Sequence, residues 1–130
     1  MTISKTARTL VASATKTAAS NGTPTRSTPL GLQTCYGGVL TVKITNGGTG
    51  PATACEARVL IAHNASTPSA GSAGADWKTV YRGTGGTVAS TAMEYTWIID
   101  ASAMALEVEF DGNTGQDVTI EAYFSEITGV

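Results

Sequence analysis

The chain has 130 residues, 42 % hydrophobic and only 14 % charged, with a net charge of −2. That supplies one core and argues against a second domain, and it fits neither a charged disordered chain nor a basic nucleic-acid binder. No window reaches the roughly 18 to 20 apolar residues of a membrane helix. The start, MTISKTARTLVASATKTAAS, also lacks the apolar run of about 7 to 15 residues of a secretory signal, so the chain is expected to stay in a cytoplasm or to assemble there into something larger.

Residues 1–29 carry Lys5, Arg8, Lys16 and Arg26 and no acid, with breakers at Asn21-Gly22, Pro24 and Pro29. They read as an extended N-terminal arm or a weakly encoded first strand. Leu10, Ala12 and Ala14 would bury little area, so another strand or subunit must supply its stability. A β-domain is expected over residues 30–130.

From Leu30 onward the alternation of period two is clear. Leu40, Val42 and Ile44 point inward, and NGGTGP at residues 46–51 makes a turn. Cys55, Ala57, Val59 and Ile61 then form a second apolar face. A hairpin about that turn would set Val42 opposite Cys55 and Leu40 opposite Ala57. It would also hold Cys35 about 23 Å from Cys55, far beyond the roughly 7 Å between Cα atoms that a disulfide needs, so two reduced cysteines are expected, with a bridge between non-sequential strands of a Greek key as the alternative. Residues 63–75, HNASTPSAGSAGA, form a long loop expected at an outer surface. DWKTVYR follows as a short strand with Trp77, Thr79 and Tyr81 on one face.

Thr87 to Phe124 holds three further alternating runs. Met93, Tyr95, Trp97 and Ile99 share a face; so do Leu106, Val108 and Phe110, and then Val118, Ile120, Ala122 and Phe124. Hairpins would pair Ile99 with Leu106, Trp97 with Val108 and Tyr95 with Phe110, and then Phe110 with Val118 and Val108 with Ile120. Seven or eight antiparallel strands without helical periodicity predict an all-β protein, a single β-sandwich of jelly-roll or Greek-key type. Greek-key connections would place sequence neighbours in different sheets, which leaves pairing beyond the local hairpins open.

Few residues of the chain are spaced for chemistry. His63 stands alone without a nucleophile elbow, so a catalytic triad is not expected. Two cysteines and one histidine without close spacing do not make a zinc site. Asp111 to Asp117, DGNTGQD, opens like a calcium loop but has Ala122 where the bidentate glutamate belongs, so a hairpin turn is the expected reading and no metal or cofactor is assigned. Glu107, Glu109, Asp111 and Glu121 are expected to form a solvated face, or one that meets the basic arm of another copy. Residues 1–82 hold all eight Lys and Arg against Glu56 and Asp76, while residues 83–130 hold eight acids and no base, an asymmetry able to orient one copy against another. Trp77 and Tyr81, beside the 63–75 loop, are candidate ligand-facing aromatics.

The order TARTLVASATKTA, GGVLTVKITNGGTGP, CEARVLIAHN, a small-residue loop, DWKTVYR and FDGNTGQDVTIEAYFSEITGV resembles small tailed-bacteriophage virion proteins, especially β-sandwich capsid decoration, or cement, proteins. The resemblance implies a structural, non-enzymatic protein on the outside of a phage head, assembled in the host cytoplasm. Its partners would be the major capsid protein and its own copies, commonly as a homotrimer, with no nucleic acid or membrane bound. Lys5, Arg8, Lys16 and Arg26 would then be the candidate capsid or subunit interface. A tail-fibre, baseplate or carbohydrate-binding β-sandwich module using Trp77 and Tyr81 is the alternative.

Overall fold

A computed structural model describes residues 2–71 and 76–130. Nine strand segments form two antiparallel sheets: β1 (Ser4–Lys16), β2 (Thr25–Arg26), β3 (Leu30–Gly31), β4 (Gly38–Asn46), β5 (Glu56–Ala62), β6 (Lys78–Thr84), β7 (Ala92–Ile99), β8 (Ala105–Asp111) and β9 (Val118–Gly129). One sheet runs β1-β9-β4-β7, and the other runs β2-β8-β5-β6 with β3 also on β8. β2 and β3 are two halves of one broken strand, joined through Ser27, whose N–H donates to Val108 O and whose Oγ accepts from Val108 N. The result is an eight-stranded β-sandwich of jelly-roll type.

The apolar alternation read from the sequence forms the core. Leu40, Val42, Ile44, Ile120, Ala122 and Phe124 from one sheet meet Ala57, Val59, Leu106, Val108 and Phe110 from the other. The expected hairpins do not form. β4 pairs with β7 and β9, while β5 pairs with β6 and β8, so Val42 is registered with Tyr95 and Ala122 rather than Cys55, and Leu40 with Trp97 and Phe124 rather than Ala57. β7, β8 and β9 likewise alternate between sheets, which removes the Ile99–Leu106, Trp97–Val108, Tyr95–Phe110, Phe110–Val118 and Val108–Ile120 pairs. Every connection crosses the sandwich except β2 to β3 and β5 to β6. Two amphipathic strands satisfy their apolar faces equally by lying side by side or by stacking face to face, so alternation alone does not choose between these.

Residues 4–27 are also built in, contrary to the expected arm. β1 pairs with β9 from Ser4–Gly129 to Lys16–Val118, and β2 adds Thr25 and Arg26 to Phe110 and Glu109. A bulge leaves Leu10 between the Thr9–Tyr123 and Val11–Ala122 pairs, so Leu10 and Val11 both reach the core instead of opposite faces. Here the strand that had to supply the arm's stability is β9 of the same chain.

Candidate functional site

Three of the four basic residues expected to face a partner are engaged within the chain. Arg8 is a two-pronged donor to Glu126, with Nε 3.0 Å from Oε2 and the second nitrogen 3.1 Å from Oε1. The Lys16 side chain is 0 % exposed; its Nζ donates to Ser20 O (2.9 Å), Ser20 Oγ (2.8 Å) and Thr23 O (2.7 Å) and lies 3.2 Å from Asp111 Oδ1. Arg26 Nε donates to Glu109 Oε2 at 3.1 Å and lies 3.7 Å from Glu107 Oε1. Only Lys5 of the four is exposed without an ion pair among the described residues.

The acidic face is correspondingly not solvated. Glu107, Glu109 and Asp111 are buried on the outer side of β8. Glu109 sits between Arg26 and Arg58, whose Nε is 3.1 Å from Glu109 Oε1 without hydrogen-bonding alignment. Glu56 then bridges Arg58, at 3.5 Å, and Arg82, at 2.7 Å. Basic residues of the first part and acidic residues of the second thus pair within one chain, in both sheets. The acids of the calcium-like loop are also used structurally: Asp111 pairs with Lys16, and Asp117 accepts from Ala18 N at 2.8 Å. Among the described residues no group of three or more His, Cys, Asp or Glu could hold a metal.

Glu107 stands out electrostatically. Burial pushes its carboxyl above the usual range, against the Gly71 N–H and Arg26 and aided by Glu109. The folded chain therefore binds this proton at a higher pH than the unfolded chain does, and stability falls as pH rises from the ordinary carboxylate range through the folded pKa. Glu107→Gln keeps the acceptor for Gly71 and removes the buried charge. Urea denaturation across that window should show the variant gaining stability relative to wild type as pH rises to neutrality; an unchanged difference would contradict this.

Trp77 and Tyr81 are not brought together. β6 carries a bulge at Val80, because pairing jumps from Val59–Tyr81 to Leu60–Thr79. The extra residue sends Trp77 and Tyr81 to opposite faces. Trp77 is 3 % exposed among Leu60, Ala62 and Ala105, and its Nε1 donates to Ser69 O. The loop therefore folds back over the outer side of this sheet instead of projecting; its residues 72–75 lie outside the described residues. Tyr81 turns inward and stacks on Trp97 at 5.1 Å, and Trp97 stacks on Tyr95 at 5.4 Å. These rings close the flank between the edge strands β6 and β7, with Tyr81 Oη donating to Ile98 O and Tyr95 Oη to Thr84 O. A Cβ at Gly83 would lie 2.6 Å from the Tyr95 ring, so glycine is what lets that ring approach.

Both cysteines are free, Cys35 half-buried and Cys55 buried. Burial pushes the Cys55 thiol up to about 12, and a thiol is unreactive while protonated. A thiol-titrating reagent at mildly alkaline pH should label Cys35 in the native protein and Cys55 only after denaturation; two fast equivalents would contradict this burial.

The remaining large surface is the outer face of β1-β9-β4-β7, a feature the sequence search did not isolate. Its cross-strand rows are Thr9–Tyr123–Thr41–Thr96, Ala7–Ser125–Val39–Ile98 and Thr15–Thr119–Thr45–Ala92. Thr41 and Thr96 hydroxyls lie 2.9 Å apart, and Lys43 sits between Glu121 (3.8 Å) and Glu94 (4.0 Å). Val39 is 45 %, Tyr123 43 % and Ile98 73 % exposed on this face. The signal was available in the outward positions of three strands, but recognising one surface required knowing that β1, β9, β4 and β7 are neighbours.

No protein-family model matches the chain, and no curated protein matches its sequence. Similar solved structures share the fold at low identity. A cleaved adhesin domain of Lys-gingipain from Porphyromonas gingivalis superposes with a TM-score of 0.57 at 10 % identity, over 87 % of this chain and 72 % of that one. A second cleaved adhesin domain of the same protein gives 0.51 at 14 % identity, over 98 % and 99 %. The infectious bursal disease virus particle gives 0.55 at 8 % identity, covering 98 % of this chain but only 31 % of the viral one. Likeness at these identities establishes the β-sandwich alone.

Proposed function

We propose that this chain is a structural virion protein, a capsid decoration or cement protein. It binds the outside of a phage head through the outer face of β1-β9-β4-β7 and stabilises contacts between major capsid proteins. The observation that carries the reading is the contrast between the two outer faces. One is covered by the 63–71 segment and neutralised by its own ion pairs. The other is four strands wide and rich in threonine, gathers charge in the Lys43–Glu94–Glu121 cluster, and exposes Val39, Ile98 and Tyr123. Exposed apolar groups within a polar surround are the composition of a protein-binding surface. The fold shared with a viral particle chain supports the same reading by analogy. The protein has no enzymatic role in this reading; its partners are the major capsid protein and its own copies, and its place is the capsid surface after assembly in the host cytoplasm.

The test is co-sedimentation of the purified chain with capsids that lack it. Val39→Lys and Tyr123→Lys should each weaken binding by about tenfold or more, equivalent to about 1.4 kcal/mol, while the fold is kept because both side chains are exposed. Undiminished binding by both variants would overturn the assignment of this face. The alternative of a tail-fibre, baseplate or carbohydrate-binding module draws on the Tyr81–Trp97–Tyr95 stack. Sugar binding that disappears in Tyr81→Ala would favour it.

A further inference from the structure

We propose that the free edge of β7 is a self-association site, through which two copies of this chain join their sheets about a two-fold axis by antiparallel β7–β7 pairing. The inference goes beyond the capsid-binding reading and stands or falls without it.

The four sheet edges are not treated alike. β1 is interrupted by three register shifts and carries Lys5 and Arg8. β2 and β3 are two residues each, between and beside Pro24 and Pro29. β6 is bulged at Val80 and carries Lys78 and Arg82. Bulges, prolines, short strands and basic side chains are how proteins keep edges from pairing with other chains. β7 has none of them: its eight residues run in unbroken register with β4, without proline or glycine, and Glu94 is its one charge.

The edge also points outward in a usable way. Ile98 O receives the Tyr81 hydroxyl from the flank, so it faces away from β4. By the two-residue repeat, the N–H and C=O of Glu94 and Thr96 face the same way. The close Thr41–Thr96 hydroxyl contact fits that phase, since side chains are nearest in pairs that exchange no backbone bonds. Ile98 O keeps a second lone pair for a partner N–H.

Charge and shape select the partner and the register. Centring the axis on Glu94 would set two carboxylates directly opposite, which is destabilising. Centring it on Thr96 sets Thr96 against the partner's Thr96, Glu94 against the partner's Ile98, and Met93 against the partner's Ile99. Met93 is 37 % exposed. Ile99 lines a mainly apolar groove of about 120 Å³ together with Ile61, Val80, Tyr81 and Ile98, with Asp100 and Ser102 at its polar side. The flexible Met93 side chain of one copy therefore faces the groove of the other, and two-fold symmetry makes this contact twice. Ile98, Met93 and Val80, three of the exposed large apolar residues, would be covered together.

Sedimentation equilibrium of the full chain over roughly 1 to 100 µM should show a monomer–dimer equilibrium. Ile98→Lys, at an exposed position, should weaken it at least about tenfold by placing a charge on the edge. Thr96→Pro should do the same without loss of a β4 ladder bond, because the N–H it removes points outward; if that variant fails to fold, Ile98→Lys still decides. Amide exchange at Glu94 and Thr96 should be slow in the dimer and fast in the monomer. A monomer throughout, a trimer of the kind the sequence resemblance implies, or a dimer indifferent to these substitutions would overturn the proposal.

Discussion

Lys16→Met should destabilise the protein by about 3 to 5 kcal/mol, the usual cost of removing one partner from a buried ion pair. The stem of the lysine is replaced by a chain of similar shape, so the loss is that of the ammonium. Its removal strands Asp111, which keeps only the Gly22 N–H at 3.1 to 3.2 Å among its neutral partners. It also takes the ammonium donor from Thr23 O, and from Ser20 O, which keeps the Thr23 N–H at 2.9 Å. For a domain of this size, the thermal midpoint should fall by roughly 10 to 20 °C. A double variant, Lys16→Met with Asp111→Leu, should recover much of the loss, because the uncompensated carboxylate is then gone. A single-variant cost under about 1 kcal/mol in urea denaturation would show that the ammonium does not hold the β1–β2 corner to β8.

Deleting residues 1–29 should abolish cooperative folding rather than release a compact sandwich. The deletion removes the β1–β9 ladder from Ser4 to Lys16, the β2 pairs on β8, and Val11 and Leu10 from the core. At about 1 kcal/mol per net hydrogen bond, the ladder alone is comparable to the roughly 5 to 15 kcal/mol that separates folded from unfolded domains. It also exposes a twelve-residue β9 edge, a template for aggregation. Circular dichroism and urea denaturation of the truncated chain are the check. A soluble, cooperatively unfolding product would restore the description of these residues as an arm.

Residues 1–29 hold the least local signal of the fold. Alternation at Leu40-Val42-Ile44 or Val118-Ile120-Ala122-Phe124 was legible because each strand has one dry and one wet face, and the inward faces were read correctly. Which strand lies beside which was not legible, since stacked and paired strands present the same alternation. Residues 1–29 were hardest for a related reason: β1 is an edge strand whose bulges break the period-two pattern, and one of its two buried residues is a lysine. No local signal marks Lys16 as buried; its partners at Ser20 and Thr23 are near in sequence, but Asp111 is brought to it only by the fold. The same holds for Trp77 and Tyr81: their spacing predicts a shared face, and the bulge at Val80 sends them to opposite ones. The charge asymmetry was real and its physical use was misplaced, because Arg26 and Arg58 meet Glu109 inside one copy.

The assignment to the capsid surface is tested most directly by counting copies of this chain in purified virions by quantitative mass spectrometry. The account predicts a number of the same order as the major capsid protein, as a lattice-wide cement requires. A few copies per particle would transfer the chain to a tail or fibre, and its absence from virions would contradict the structural assignment altogether.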